Sequence, residues 1–219
     1  KVNVRTVKAP GFSPQGIMRC VLPYTIFVKL KEIDNGVLPP YEEEFRSVCM
    51  DDEQEEHYRK MELTLTTELK QALARRDTTL LGTVLNALLA WPDTCFRQER
   101  VVHPRHKHTL SFTPSIFGDF EVAPKERELI EICKAEKEKG RKVLAYTIYT
   151  GTRDTTSRLK VLLEQEGLKT AVLRAAVSPE RREDWIAEQV DRGVDVVITN
   201  PDLVKTGLDL LDFPTIVFM

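Results

Sequence analysis

Hydrophobic positions in the last third of the chain fall into four short runs. These are Val143, Leu144, Ala145 and Ile148; Ala171, Val172 and Leu173; Val194, Val196, Val197 and Ile198; and Ile216, Val217 and Phe218, led by Thr215. Each is too short for a core helix, and near-continuous apolar strands of this kind are buried on both faces of a parallel sheet. Two helical patterns lie between the runs. Over 154–166, Leu159, Leu162 and Leu163 share one side and Gly167 follows; over 179–191, Trp185, Ile186 and Val190 do the same and Gly193 follows. Glycine just past a helix and Pro179 in a first turn are stop and start signals. Strand, helix, strand, helix, strand, strand predicts a parallel sheet with right-handed crossovers.

Upstream, the pattern changes to helices alone. Residues 124–139 predict a helix with Leu129, Ile130 and Cys133 facing inward and Gly140 at its end. From 51 onward, acids crowd a first turn, where the helix dipole favours them, and Tyr58, Met61, Leu65, Leu69 and Leu73 repeat at helical spacing. A second helix is predicted over 79–90, with Leu80, Leu81, Val84, Leu85, Leu88 and Leu89 apolar and Pro92 ending it. Residues 75–78 join the two into a helical hairpin.

The remainder is less patterned. Prolines and glycines break 1–40 into short pieces, 21–30 suits either a short strand or a short helix, and 38–50 reads as extended. In 92–123, His103, His106 and His108 with Cys95 upstream suggest zinc, whereas Pro104, Arg105 and Lys107 fit a solvated loop equally well. The chain thus divides into a lead-in (1–50), a helical hairpin with a His-rich loop (51–123) and an α/β lobe (124–219).

Composition adds limits. The 219 residues are 42% hydrophobic and 30% charged, enough for a sizeable core in one or two domains. No run of about 18 apolar residues and no signal-peptide pattern is present, which sets the expectation of an intracellular protein, cytoplasmic or nucleoid, or nuclear in a eukaryote. Cys20, Cys49, Cys95 and Cys133 lack CxxC spacing, so reduced and mostly buried thiols are expected. The net charge of -2 conceals an uneven distribution: six bases against two acids in 1–40, and eleven acids against six bases in 41–78. Any polyanion-binding surface must therefore be local.

Candidate chemistry sits at the strand ends, where open α/β sheets place their ligands. Thr150, Gly151, Thr152 and Arg153 fall where a strand gives way to a helix, so backbone N–H groups, hydroxyls and the helix dipole converge on a spot suited to phosphate. The competing reading is that Thr152 or Asp154 merely caps the helix. Ser178, ahead of Pro179, Glu180 and Arg181, is a second cap of the same kind.

These segments also carry a resemblance. Leu38, Pro39, Pro40 and Tyr41, followed by the stretch from Val48 to Tyr58, resemble the segment leading into the second motor lobe of Swi/Snf-type superfamily 2 helicases and translocases. Residues 143–150 resemble that family's motif IV strand, 173–183 its next segment, and 197–217 its motif V and the following strand. The resemblance implies a RecA-like parallel sheet with flanking helices, plus an N-terminal segment and a helical hairpin insertion, within a C-terminal motor lobe. It implies that Thr150, Gly151, Thr152, Arg153, Thr199, Asn200 and Lys205 face a nucleic-acid backbone, duplex DNA first and RNA also admitted. Gly207 and Asp209 would face a nucleotide, with ATP and Mg2+ bound mainly by an N-terminal lobe.

The departures from that family matter too. The sequence holds no GxxxxGK(S/T) loop and no DEAH-like acidic strand end, and no arginine-bearing motif VI follows 217. This chain alone is therefore not expected to hydrolyse ATP. Two other classes remain open: an interaction module docking a partner on its leucine-striped hairpin, and a doubly wound small-molecule enzyme, which for dinucleotides would lack the GxGxxG fingerprint.

Overall fold

The computed structural model describes residues 13–28, 41–205, 208 and 210–219. It divides into two units, Lys1–Arg46 and Ser47–Met219. In the first, the Ser13 hydroxyl accepts from the Gly16 N–H at 3.1 Å and opens a helical turn, Pro14–Gly16. A π-turn, Ile17–Val21, and a 3-10 turn, Leu22–Tyr24, follow. Residues 21–24 thus take the helical alternative. Leu38, Pro39 and Pro40 lie outside the described residues, and 41–51 contains neither helix nor strand.

The second unit holds the parallel sheet expected from the apolar runs. Strands β3 (Val143–Tyr146), β4 (Thr170–Leu173), β5 (Val196–Thr199) and β6 (Thr215–Phe218) stand in the order β4-β5-β3-β6, all parallel. The molecule is mixed α/β, with helices on both faces of this sheet, consistent with a RecA-like arrangement. On one face, Leu129, Ile130 and Cys133 of α3 (Pro124–Glu138) and Leu159, Leu162 and Leu163 of α4 (Thr155–Gln165) cover Val143, Ala145, Val196 and Ile198. On the other, Ile186 of α5 (Arg182–Asp191) packs with Leu144, Leu173, Val197, Val204 and Phe213. Gly167 and Gly193 take φ of 75° and 74° as α4 and α5 end, a conformation that costs other residues more. The strand β3 stops at Tyr146, two residues earlier than its apolar run, and Ile148 is 61% exposed in the loop that follows.

The helical hairpin is present with different facing residues. Helix α1 (Asp52–Ala74) starts at Asp51, whose carboxylate accepts from the Gln54 N–H at 2.8 Å, and α2 (Leu81–Thr94) returns beside it. Met61, Leu65 and Ala72 of α1 pack against Val84, Ala87 and Trp91 of α2, whereas Leu73, Leu81, Leu85 and Leu89 are exposed. A leucine pattern alone does not choose the inward face; the fully buried Trp91 does. Pro92 does not end α2, which continues to Thr94. The helical bond from the missing N–H is lost, yet burial of Ala90, Trp91 and Thr94 and the Thr94 hydroxyl bond to the Ala90 carbonyl at 2.9 Å hold the last turn.

The stretch least legible in the sequence forms a β-hairpin, β1 (Glu99–Val102) with β2 (Thr109–Thr113). Its Val101 and the preceding Cys95 join the core of the helical hairpin. Cys95 and Cys133 are buried, and burial raises both thiols to about 12, while Cys20 and Cys49 are exposed. Among the described residues no helix is long and apolar enough to cross a membrane.

Candidate functional site

Parallel strands put their carboxyl ends on one edge, and the two central strands here, β3 and β5, end side by side with Tyr146 opposite Thr199. The loop after β3 is folded back on itself. Its Thr147 N–H donates to the Thr199 carbonyl at 3.0 Å, and the Thr147 and Thr155 hydroxyls lie 2.8 Å apart. The Thr155 N–H and hydroxyl both donate to the Tyr149 carbonyl, at 3.1 and 3.0 Å. Thr147 and Thr155 are buried, so they fix the two ends of the loop and leave its middle outside.

Asp154 closes that loop and caps α4. It sits at φ 36° and ψ 56°, a left-handed conformation that Asp tolerates better than most residues. Its carboxylate accepts from the Ser157 N–H at 3.2 Å and from the Thr156 and Ser157 hydroxyls at 2.7 Å each. Burial pushes this carboxyl up, but those donors and the nearby Arg174 outweigh it and hold the group at about 2. The cap is thus Asp154 and not Thr152. A permanent negative charge occupies the helix start where an incoming phosphate would be favoured.

The middle of the loop has a different character. Gly151 and Thr152 are exposed, and among the described residues none accepts a hydrogen bond from the backbone N–H of Thr150, Gly151, Thr152 or Arg153. The Thr150 hydroxyl accepts from the Asn200 side chain at 3.4 Å, which ties this loop to the one after β5. Asn200 also caps the short turn Pro201–Leu203, accepting from the Asp202 N–H at 2.9 Å. The loop after β4 joins the same edge, because Arg174 lies 3.4 Å from Asp154 and donates to Ser157 at 2.8 Å.

Arg182, unassigned on sequence grounds, braces two of these loops. It donates to the Val177 carbonyl at 3.2 Å and to the Leu203 carbonyl at 2.9 Å. Its position at the first turn of α5, facing two strand-end loops, was the available signal. Ser178 precedes a 3-10 turn, Pro179–Arg181, and its hydroxyl makes no capping bond.

The expected contact residues therefore separate. Thr150, Gly151 and Thr152 lie together on the loop. Thr199 is fully buried, its hydroxyl donating to the Leu173 carbonyl at 3.3 Å, so it serves the sheet. Lys205 is exposed and paired with Asp202 at 3.1 Å. Arg153 is turned toward the hairpin and pairs with Glu99 at 2.8 Å. Gly207 and Asp209 lie outside the described residues. Each of Arg153, Arg174 and Lys205 has a carboxylate partner, so the edge is studded with charge but close to balanced.

Away from this edge, the three imidazoles cluster at the tip of the β-hairpin, with ring centroids 4.5 to 6.3 Å apart. His103 Nδ1 accepts from the N–H groups of Arg105 and His106 at 3.1 and 3.3 Å, which binds it into the turn. Burial and the neighbouring imidazoles lower its pKa. Among the described residues, no group of three or more His, Cys, Asp or Glu is placed to hold a metal ion.

Compared with family models, with curated proteins and with solved structures, the chain finds no match in any of the three.

Proposed function

We propose that this chain is the C-terminal motor lobe of an ATP-dependent nucleic-acid translocase or helicase, working with an ATP-binding lobe that it does not itself supply. The observation that carries the reading is the meeting of three loops at one sheet edge. The loops after β3, β4 and β5 hold the segments that resemble successive motor motifs, and they are hydrogen-bonded to each other through Asn200 with Thr150 and Arg174 with Asp154.

In this reading, the backbone N–H groups of 150–153, which find no acceptor among the described residues, receive phosphate oxygens. Such contacts position a strand without reading its sequence. Gly207 and Asp209, which follow β5 in the sequence, would complete a nucleotide site across the cleft between two lobes. ATP and Mg2+ would be held mainly by the other lobe, and hydrolysis would proceed by positioning and electrostatic stabilisation. Duplex DNA is the favoured track.

Met61 and Leu65 of the leucine stripe are spent in the hairpin's own core, so the interaction-module reading would rest on the exposed Leu73, Leu81, Leu85 and Leu89. Among the described residues, the cavity beside the β3 and β6 ends, lined by Thr147, Thr155, Glu126 and Met219, measures about 20 Å³, room for about one water, which gives the small-molecule reading little support.

The deciding experiment is ATP hydrolysis by the intact two-lobe protein, with and without duplex or single-stranded DNA, beside an Asp209→Ala variant. DNA-stimulated turnover that collapses in the variant is expected. A folded intact protein that turns over no ATP on any nucleic acid would remove the motor reading.

A further inference from the structure

We infer that Arg153 is a positioning residue and not a phosphate ligand, and that Glu99 and Asn86 act through it to hold loop 150–153 for an anionic backbone. The inference rests on the nucleic-acid reading above and assigns a role to the helical and β-hairpins that the motif resemblance leaves open.

The Arg153 guanidinium is already engaged on three sides. Its Nη2 donates to Glu99 Oε1 at 2.8 Å and its Nε to Glu99 Oε2 at 3.4 Å, so one carboxylate of β1 takes both edges of the fork. Its Nη1 donates to Asn86 Oδ1 of α2 at 3.0 Å. The Tyr149 ring lies 5.7 Å beneath it. Both charged side chains are mostly sheltered, at 20% exposure for Arg153 and 12% for Glu99. Two-pronged pairing of this kind is strong and directional. A phosphate reaching Arg153 would have to break it and strand Glu99.

A second arm acts on the same loop, where Arg97 donates to the Thr152 carbonyl. The hairpins therefore grip the loop at Thr152 and Arg153, while Asn200 grips it at Thr150. What stays open is the backbone between these grips. A Cβ added at Gly151 would meet nothing within 4 Å, so the space above it is empty in the folded chain and Gly151→Ala introduces no clash. A ligand that approaches this backbone closely would clash with the added methyl.

Salt dependence separates a positioning arginine from a liganding one. Each phosphate neutralised contributes about 0.9 to the slope of log affinity against log salt on duplex DNA. Binding of a duplex oligonucleotide by the intact two-lobe protein would be measured across salt for the wild type, Arg153→Ala, Glu99→Ala, their double variant and Gly151→Ala, with thermal unfolding as the check on folding.

The expected result is an unchanged slope with binding weakened about tenfold in either single variant and no further in the double, as strongly coupled neighbours behave. Gly151→Ala should bind weakly while unfolding no earlier than the wild type. A slope reduced by about 0.9 in Arg153→Ala, or tighter binding in Glu99→Ala, would overturn the inference and return Arg153 to direct contact. Full-strength binding by Gly151→Ala would do so as well. Absence of salt-dependent binding in the wild type would instead defeat the underlying nucleic-acid reading, which the variants cannot mimic.

Discussion

Arg158 of α4 meets Glu126 of α3 with Nε 2.6 Å from Oε1 and Nη2 3.0 Å from Oε2, and each residue is only 7% exposed. Arg158 also donates to the Gly118 and Glu121 carbonyls and lies 4.7 Å from the Phe96 ring, while Glu126 reaches back to the Ala123 N–H at 2.9 Å. One buried pair thus joins the segment after β2, the start of α3 and helix α4. Removing one partner strands the other charge, so Glu126→Ala is expected to cost about 3–5 kcal/mol in urea unfolding. Arg158→Met together with Glu126→Leu should cost less than either single change to alanine, because the orphaned charge is gone.

Glu136 is expected to make the sheet acid-sensitive. Arg141 pairs with both of its oxygens at 2.6 Å, and the Thr215 hydroxyl donates to it at 2.6 Å, linking α3 to the segment leading into β3 and to the edge strand β6. The Arg141 guanidinium, aided by Thr215 and Lys139 and opposed by burial, holds the carboxyl at about 2. A depressed carboxyl pKa stabilises the fold above its unfolded value and loses that contribution as pH falls toward the folded one. The contribution is on the order of 2–3 kcal/mol at neutral pH and should fade between about pH 5 and 2. Urea midpoints of the wild type and Glu136→Gln should therefore differ at pH 7 and draw together as pH falls toward 2. A constant gap would show that the amide disrupts packing and not charge.

The parallel sheet was legible because burial on both faces leaves an unbroken apolar run, and because Gly167 and Gly193 mark helix ends that no other residue type closes as readily. The helical hairpin was legible as two helices, but not in its facing: Leu81, Leu85 and Leu89 repeat as well as Val84, Ala87 and Trp91 do, and only tertiary packing selects between them. The hairpin β1 and β2 escaped because Arg100 and Phe112 on its outer side interrupt any alternation. At the candidate site, the loop after β3 could be placed from its strand end. The partner of Arg153 could not, since Glu99 lies 54 positions away in sequence.

Asp154 sets two opposed requirements that substitution should separate. Asp154→Ala loses the cap and keeps the left-handed backbone, so a loss of about 2–3 kcal/mol is expected. Asp154→Gly relieves the backbone and should cost under about 1 kcal/mol. Asp154→Asn keeps both cap and conformation while removing the charge. If loop 150–153 receives phosphate, Asp154→Asn should bind duplex DNA roughly threefold more tightly at low salt, with the gain shrinking as salt screens it. Unchanged or weaker binding, with stability retained, would place the phosphate track elsewhere.

Leu65 and Leu85 discriminate between a hairpin that supports the motor lobe and one that docks a partner. Leu65 is fully buried against the α2 core, whereas Leu85 is 49% exposed on the opposite side of that helix. Truncating a buried leucine loses its transfer free energy and leaves a cavity, so Leu65→Ala is expected to cost about 2–5 kcal/mol. Loss of function there would report unfolding and not a lost contact. Leu85→Ala and Leu89→Ala, both on the exposed face, should each change stability by less than about 0.5 kcal/mol. In the motor reading, the Leu85→Ala, Leu89→Ala double variant retains DNA-stimulated ATP hydrolysis in the intact protein. If it instead keeps its stability and loses that activity, the exposed face of α2 is itself an interface that the motor requires, and the hairpin is more than a support.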